Sequence, residues 1–352
     1  MGVRASRHRP GRRDAAGERR AELPDREAHR RGPLPAPVPG SPVSPLAAAP
    51  RLLVVGSANV DFTVAARHLP RPGETVSGGT LLVSHGGKGA NQAVAARRLG
   101  AEVRFLACVG DDAPGREIRT ALETEGIGVA GVSTTDRAPT GTALILVDAE
   151  GRNAIAVAPG ANWELTVEMV ARRVDDLAWA DVVMCQLETP IATVAWVLGE
   201  ARRRGRLTLL NPAPMREEAR ELVALADYLT PNETEAERLS GVVVRDPGSA
   251  AAAGRALQAL GASTVIVTLG AQGALACTPD GLVRAPALPV AVVDTTAAGD
   301  AFSASLALAL GEKRALGDAL RFASAAAALA CTRRGARPSL PRRNEVETLL
   351  GE

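Results

Sequence analysis

The sequence predicts an α/β fold of three layers, in which a mostly parallel central sheet is flanked by helices and accompanied by a small β-sheet. From residue 51 onwards, short apolar runs alternate with segments of helical length that are rich in Ala, Arg, Glu and Leu. This alternation is typical of a parallel sheet that is covered on both faces. Two stretches with strand-like patterns, at about 61–84 and 140–158, interrupt it.

The predicted strands of the central sheet are continuous apolar runs, as expected where both faces of a strand are buried. These runs lie at 52–56, 103–108, 182–186, 207–210 and 264–268. The predicted helices lie between or beside them, at 89–99, 115–125, 190–204, 216–226 and 248–260.

The two irregular stretches predict the small sheet. Residues 61–84 contain strand-like pieces on either side of a Pro- and Gly-containing turn, and 140–158 predict a hairpin that turns at Asp148-Ala-Glu-Gly151. Such a structure is either a simple edge hairpin or a lid over a cleft, and the pattern does not choose between them.

Residues 1–50 differ sharply from the rest of the chain. They hold ten Arg, five acidic residues and nine of the 24 Pro, which leaves a net charge of +5 against −3 for the remaining 302 residues. With no apolar core for a targeting signal, they predict a disordered basic leader, followed by a single domain over 51–352. The slightly negative net charge of this domain argues against nucleic-acid binding. Its apolar runs are too short to span a membrane, which argues against a membrane protein.

The cysteines predict no metal or redox motif. Cys108, Cys185, Cys277 and Cys331 lie far apart in apolar runs, and no C-x-x-C is present. We therefore expect buried free thiols in a cytoplasmic protein, because that compartment keeps thiols reduced.

The motif Asp294-Thr-Thr-Ala-Ala-Gly-Asp300 predicts an anion site at the start of a helix. The backbone N–H groups of Ala297, Ala298 and Gly299 would face an anion, and the helix dipole favours negative charge there, as suits a transferring phosphoryl group. Asp300 would then accept a proton from a hydroxyl group. An acidic residue at this position is equally consistent with a simple helix cap.

A second motif, Ser84-His-Gly-Gly-Lys-Gly-Ala-Asn91-Gln92, opens a predicted helix. Its glycines allow close approach of a ligand, and Asn91 offers both a donor and an acceptor to sugar hydroxyls. Lys88 is one of only two lysines in the chain, which suggests a role that arginine does not fill. The alternative is a glycine-rich turn with a solvated lysine. A third motif, Asn59-Val-Asp61, follows the first strand, where open α/β sheets bind ligands.

No P-loop or Rossmann glycine fingerprint is present. In their order and spacing, the motifs instead resemble the ribokinase-type family of carbohydrate kinases, the PfkB group, from about residue 51 to 350. The residues that carry the resemblance are Gly56–Asp61, Pro72–Thr75, Gly86–Gln92, Gly110–Asp112, Gln186–Glu188, Asn211–Pro214, Thr230–Ala236 and Asp294–Asp300.

The resemblance implies a ribokinase-like fold and the ATP-dependent phosphorylation of D-ribose at O5 to give D-ribose 5-phosphate. Asp300 would be the general base, next to an anion hole at Ala297, Ala298 and Gly299. The implied sugar ligands are Asn59, Val60, Asp61, Gly87, Lys88, Gly89, Ala90, Asn91, Glu188 and Asp300. Alternatives are another sugar or nucleoside kinase of the group, such as a deoxyribokinase or fructokinase, or a catalytically silent sugar-binding regulator.

The same resemblance implies ATP, Mg²⁺ and a K⁺ activator, and a homodimer formed through the lid. The implied nucleotide and Mg²⁺ contacts are Asn232, Glu235, Thr268, Leu269, Gly270, Ala271, Gln272, Gly273, Gly299, Asp300 and Ser324. The implied K⁺ ligands, mostly through carbonyl oxygens, are Asp294, Thr296, Ala330, Arg333, Gly335 and Ser339.

Overall fold

Two β-sheets with surrounding helices make up the described part of the chain, residues 48–352 of the computed structural model. The predicted leader lies outside the described residues, apart from its last three positions. Within them the strands, in chain order, are β1 Arg51–Val55, β2 Asn59–Ala65, β3 Thr80–Gly86, β4 Glu102–Gly110, β5 Gly128–Thr135, β6 Gly141–Val147, β7 Asn153–Ala158, β8 Val182–Cys185, β9 Leu207–Leu210, β10 Tyr228–Leu229, β11 Thr264–Thr268, β12 Ala274–Thr278 and β13 Gly281–Ala285.

The helices of the same part of the chain are numbered in the same way. They are α1 Lys88–Arg98, α2 Ala113–Thr124, α3 Val167–Ala171, α4 Val174–Trp179, α5 Ile191–Arg203, α6 Glu233–Ser240, α7 Pro247–Ala259, α8 Ala298–Gly311, α9 Leu316–Ala330, α10 Ala336–Ser339 and α11 Arg343–Leu350. Short 3₁₀ helices span Gly160–Glu164, Glu217–Leu225 and Gly270–Gln272.

The central sheet has the order β13-β12-β11-β10-β9-β8-β1-β4-β5. The seven strands from β11 to β5 in this order pair in parallel, whereas β12 and β13 pair antiparallel at one edge. The predicted mostly parallel sheet is therefore confirmed, and all five apolar runs named above form strands in it.

Apolar packing on both faces of the sheet explains its continuous apolar strands. Along β1, Leu52 and Val54 join one buried cluster, which includes residues of α1, α8 and α9. Leu53 and Val55 join the opposite cluster, which includes residues of α5 and α7. Because successive side chains of a strand point to opposite faces, an apolar run is required when helices cover both sides. The three-layer prediction is confirmed.

The small sheet has the order β3-β2-β6-β7. Strand β2 pairs antiparallel with β3 and parallel with β6, and the β6–β7 hairpin turns at 148–151, as predicted. Several large apolar side chains of this sheet are at least half exposed, namely Leu81, Leu82, Val83, Leu144, Ile155 and Val157. This small sheet therefore carries an uncovered apolar surface in the described structure.

Two details differ from the sequence predictions. Residues 217–225 of the predicted helix 216–226 form a 3₁₀ helix, in which Ala219, Leu222 and Leu225 pack inward every third residue, as suits three residues per turn. Cys331 is half-buried, while the other three free cysteines are buried. No helix of the described residues has the length and apolar character needed to cross a membrane.

Candidate active site

The loop after β1 and the first turn of α1 are in contact where β1, a strand of the central sheet, ends. Gly87 precedes α1 with a φ of 87°, in the left-handed region that favours glycine. A Cβ added to Gly89 would lie 2.6 Å from the backbone nitrogen of Ser57, so a larger residue would push the two segments apart. The glycine motif thus serves close approach of the backbone, and it brings Lys88 and Asn91 to the end of β1.

Asp300 lies in the first turn of α8 and its side chain points to α1. It is 5% exposed. The amide Nδ2 of Asn91 donates to its Oδ2 at 3.0 Å, and Nε2 of Gln92 donates to its Oδ1 at 3.1 Å. The N-cap position of α8 is Ala297, which has a φ of 62° and no side-chain cap. Asp300 is therefore not a helix cap, and the structural alternative considered for it is wrong.

Burial makes Asp300 a better proton acceptor than an exposed carboxylate. Burial raises its pKa, and Glu188 adds to this, while Lys88 and the amides of Asn91 and Gln92 oppose the rise. Burial lowers the pKa of Lys88, but the carboxylates of Asp300, Glu188 and Glu235 outweigh it, so the net shift is upward. The ammonium group of Lys88 is thus held protonated among carboxylates, where it suits binding of a further anion.

A second group of polar side chains lies beside Asp300, at the start of β2 and after β8. The hydroxyl of Ser57 donates to Oε2 of Glu188 at 2.5 Å, and the backbone N–H of Lys88 donates to the same oxygen at 3.0 Å. Asp61 packs against Gly86, where an added Cβ would lie 2.0 Å from Oδ2 of Asp61. Burial and Glu188 raise the pKa of Asp61 to about 6, against the opposing charge of Arg337.

These carboxylates are suited to a ligand with several hydroxyl groups, because a carboxylate accepts hydrogen bonds only. Asn91 adds an acceptor, since its buried Oδ1 has no hydrogen-bond partner within the described residues. Asn59 is more constrained, because its Oδ1 already accepts from Nδ2 of Asn162 at 2.7 Å. Its remaining capacity lies in its amide N–H groups.

On the other side of Asp300, a cavity of about 620 Å³ lies between the β11–β12 loop and helices α8 and α9. Its lining is mostly apolar, and one side chain in it, Ser324, has a buried hydroxyl that finds no hydrogen-bond partner among residues 48–352. The lining residues predicted from the nucleotide motifs are Thr268, Gly270, Ala271, Gly273, Gly299 and Ser324. The cavity is large enough for a nucleotide-sized ligand.

A smaller cavity of about 210 Å³ adjoins this one and reaches Asp300 itself. The two cavities share Thr268, Thr295 and Gly299 in their linings. Lys88, Asn232 and Glu235 also line the smaller cavity. Asn232 and Glu235 form the capping box of α6, in which Oδ1 of Asn232 accepts from the Glu235 N–H and Oε2 of Glu235 accepts from the Asn232 N–H, both at 2.9 Å.

The loop that precedes α8 is tied to the segment after α9 through Asp294. Its Oδ1 accepts from the N–H of Thr296 at 2.9 Å, and its Oδ2 accepts from the N–H of Gly335 at 2.8 Å. The N–H groups of Val293 and Asp294 both donate to the carbonyl of Cys331. Burial alone would raise the pKa of Asp294, but the hydrogen bonds that its carboxylate accepts from the hydroxyl and N–H of Thr296 and from the N–H of Gly335 outweigh it and hold the pKa low.

Comparison with known proteins assigns the family. A family model described as pfkB family carbohydrate kinase matches residues 49–343. A ribokinase of Haemophilus influenzae is 41% identical over 300 residues, which cover 85% of this chain and 98% of that protein. A deoxyribokinase of Salmonella typhi is 36% identical over 291 residues, which cover 82% of this chain and 95% of that protein. The chain belongs to the pfkB family of carbohydrate kinases.

The fold of this carbohydrate kinase agrees with that assignment. The solved structure of Arabidopsis thaliana ribokinase complexed with ribose and ATP matches it with a TM-score of 0.80 and 35% identity, over 86% of this chain and 99% of the other. The ribokinase-like fold expected from the sequence, including its small sheet, is therefore confirmed.

The structure brings most of the predicted site residues together around Asp300. Leu269 and Gln272 are absent from the linings of both cavities, and Leu269 is buried in the core. Val60 is also buried. The N–H of Ala298 donates to the carbonyl of Thr295 at 3.2 Å, so it is already engaged. Of the predicted K⁺ ligands, the hydroxyl of Ser339 donates to the carbonyl of Ala336 and the side chain of Arg333 pairs with Glu345.

Sequence reasoning assigned no role to several residues that shape the site. Ser57 and Asn162 position Glu188 and Asn59, and Gln92 contacts Asp300 directly. Arg337 is buried, with a pKa lowered to about 10 by that burial, and its charge acts on Asp61. Ser57 and Gln92 lie within the quoted motifs, so the sequence offered a signal that they belong to the site. Asn162 and Arg337 lie far along the chain from those motifs, and the sequence offered no such signal for them.

Proposed function

We propose that this protein is an ATP-dependent ribokinase that transfers a phosphoryl group to O5 of D-ribose. The observation that carries the proposal is the placement of Asp300, buried between the polar group of Asp61 and Glu188 and the two cavities lined by the nucleotide motifs. A base between an acceptor hydroxyl and a phosphate donor is what in-line phosphoryl transfer requires. The ribokinases of Haemophilus influenzae and Arabidopsis thaliana support ribose as the acceptor.

In this proposal the sugar lies against α1, β2 and the loop after β8. Asp61 and Glu188 accept hydrogen bonds from its hydroxyls, while Asn59 donates and Asn91 contributes its free Oδ1. The backbone of 87–90 forms the floor, because its glycines leave room for the sugar ring. Val60 contributes backbone rather than side chain, since its side chain is buried.

The proposed reaction needs one proton transfer and one displacement. Asp300 accepts the proton of the O5 hydroxyl, O5 forms a bond to the γ-phosphorus, and the bond from that phosphorus to the β–γ bridging oxygen breaks to release ADP. Lys88 and the first N–H groups of α8 offset the developing negative charge. Because the Ala298 N–H donates to the Thr295 carbonyl, we assign this anion hole mainly to the N–H groups of Ala297 and Gly299.

The nucleotide occupies the larger cavity, with its phosphates toward Asp300. Oxygen ligands suit Mg²⁺, and Glu235 fits a role near this ion because only one of its carboxylate oxygens accepts a hydrogen bond within the described chain. Asn232 fixes Glu235 through the capping box. Bound Mg²⁺ would neutralise phosphate charge.

A K⁺ ion would suit the loops joined by Asp294. This region is built of backbone carbonyls and one carboxylate, which are the oxygen donors that hard cations prefer. Arg333 and Ser339 would contribute carbonyl oxygens, because their side chains are engaged elsewhere. The remaining ligands in this proposal are Asp294, Thr296, Ala330 and Gly335. Bound K⁺ would hold in place the loop that leads to Asp300.

We also propose a homodimer that forms through the exposed apolar side chains of the small sheet. Six apolar side chains of β3, β6 and β7 are at least half exposed, three on each face of the sheet, and exposed apolar side chains of this kind mark protein interfaces. Light scattering is expected to give the mass of a dimer, and Leu82→Lys is expected to give a monomer. A monomeric mass for the unmodified protein at micromolar concentration would contradict this part of the proposal. The free thiols suit the cytoplasm, the location we infer.

The test of the function is an ADP-release assay with ribose, 2-deoxyribose, fructose and adenosine as acceptors. We expect the highest kcat/KM with ribose. Preference for 2-deoxyribose would favour the second candidate, which the similarity to the Salmonella deoxyribokinase supports. Tight ribose binding without turnover of any acceptor would instead identify a silent sugar-binding protein.

A further inference from the structure

A chain of buried side-chain amides leads from β8 to Asp300. Nε2 of Gln186 donates to Oε1 of Gln92 at 2.6 Å, and Nε2 of Gln92 donates to Oδ1 of Asp300 at 3.1 Å. Both glutamines have no exposed surface. Polar groups buried to this extent are costly unless they are paired, so the arrangement needs an explanation beyond simple packing.

The orientation of the Gln92 amide is fixed at both of its ends. Its oxygen accepts from Gln186, while its nitrogen faces two acceptors, Oδ1 of Asp300 and Oδ1 of Asn211 at 3.2 Å. Asn211 is held in turn, because its Nδ2 donates to the carbonyl of Thr230 at 3.1 Å. If the amide of Gln92 were reversed, its oxygen would face two acceptor oxygens and lose every one of these bonds.

This amide matters for Asp300 because it donates one hydrogen bond to one oxygen of the carboxylate, Oδ1. Asn91 donates to the other oxygen, so the two amides together define the plane of the carboxylate. Each oxygen has about two acceptor directions, which leaves one on each for a substrate hydroxyl. A carboxylate that accepts two amide bonds is also stabilised in its charged form, which is the form that takes up a proton.

We propose that Gln92 is a positioning residue for Asp300, which holds the carboxylate ionised and oriented toward the acceptor hydroxyl, and that Gln186 keeps the Gln92 amide in the required orientation. The proposal rests on the proposed role of Asp300 as the general base. Gln92 itself touches neither reacting atom in this scheme. It therefore acts on the rate through Asp300 and leaves the contacts to the sugar unchanged.

The charged groups around Asp300 remain in place when Gln92 is changed. They are Lys88 on α1, Glu188 after β8, Asp61 on β2 and Glu235 on α6. Removing the Gln92 amide takes away a hydrogen bond to the ionised form, so the pKa of Asp300 should rise. Because a general base works only when it is deprotonated, the acidic limb of the pH–rate profile should move to higher pH.

The test is the pH profile of kcat/KM for ribose with Gln92→Met, which keeps the length of the side chain and removes its polar atoms. We expect the acidic limb to move upward by about one pH unit, which is about a tenfold loss of rate on the limb. The loss of rate should be smaller on the alkaline plateau. The Kd for ribose should change by less than about threefold, which is well below the tenfold loss of rate expected on the acidic limb.

The matched control is Thr208→Val, which also removes three hydrogen bonds of a buried side chain. Thr208 lies near the start of β9, whereas Asn211, the partner of Gln92, follows its end. We expect it to lower the melting temperature and leave the acidic limb unchanged. If Gln92→Met does not fold, Gln186→Met decides the question, because it frees the Gln92 amide without deleting it. That variant should move the limb in the same direction by a smaller amount.

An acidic limb that is unchanged in every folded variant of Gln92 and Gln186 would overturn the proposal, even if kcat were lower. Failure of the underlying mechanism would look different. In that case Asp300→Asn would retain the activity of the unmodified enzyme, whatever the glutamine variants do.

Discussion

Replacing Asp61 with Asn is expected to stabilise the protein near pH 8 while weakening its proposed sugar site. Burial and Glu188 raise the pKa of Asp61 from its ordinary value of 3.8 to about 6. A carboxyl group whose pKa is raised on folding contributes stability at low pH that is lost as the pH rises through the folded value. A rise of this size corresponds to at most about 3 kcal/mol, at about 1.4 kcal/mol per pKa unit.

The assay is thermal unfolding of the unmodified protein and of Asp61→Asn from about pH 4 to about pH 8. The Asn variant mimics the neutral form, so its melting temperature should exceed that of the unmodified protein by several degrees at about pH 8, where each kcal/mol is about 2–4 °C, and the gain should vanish at about pH 4. In the same variant KM for ribose should rise, because an acceptor for two hydroxyls is lost.

The control is Asp112→Asn, which should show the opposite sign. Burial alone would raise the pKa of Asp112, but the hydrogen bonds that its carboxylate accepts from Thr140 and Gly115 outweigh this and lower it. Asp112→Asn should therefore cost stability at about pH 8 and little at low pH. An Asp61→Asn variant that melts at or below the unmodified protein at about pH 8 would refute the reasoning, because desolvation would then not be the dominant influence on this carboxyl.

Four other outcomes follow from the site. Asp300→Asn should lower kcat by about 10²–10⁴-fold with ribose binding retained, measured by ADP release and calorimetry. Glu235→Gln should raise KM for ATP more than KM for ribose and increase the Mg²⁺ concentration that gives half-maximal activity. Gly89→Ala should abolish activity, because its Cβ would lie 2.6 Å from the nitrogen of Ser57; circular dichroism will show whether the fold survives. Removing residues 1–50 should leave kcat/KM unchanged, since every proposed site residue lies in 51–352.

The sequence predicted the central sheet well because burial on both faces leaves a strong signal. Residues 52–55 of β1 must all be apolar, because Leu52 and Leu53 face different helical layers. The antiparallel edge left a weaker signal. Strand β13 is largely exposed, so its residues Gly281–Ala285 show neither a continuous apolar run nor clear alternation.

The site was predictable in its motifs and less so in its internal contacts. Asp300 and the glycines carry local signals, since a helix start and a close backbone approach restrict the residue type at one position. The hydrogen bond from Gln92 to Asp300 joins residues 208 positions apart, so it depends on how the layers pack. The same holds for Asn162, which reaches Asn59 across 103 positions.

Strand β2 belongs to the small sheet and also carries two of the proposed sugar ligands. Asn59 and Asp61 lie in the first part of β2, and the whole strand, including these two residues, pairs with β3 on one side and β6 on the other. A rotation of the small sheet would therefore move these proposed sugar ligands. The angle between the small sheet and the rest of the protein is consequently linked to occupancy of the sugar site. A bound sugar then shifts the population toward one sheet angle by a free energy equal to the difference in its affinity for the two arrangements. Substitutions far along β2, such as at Val64, should consequently alter sugar affinity without touching the sugar.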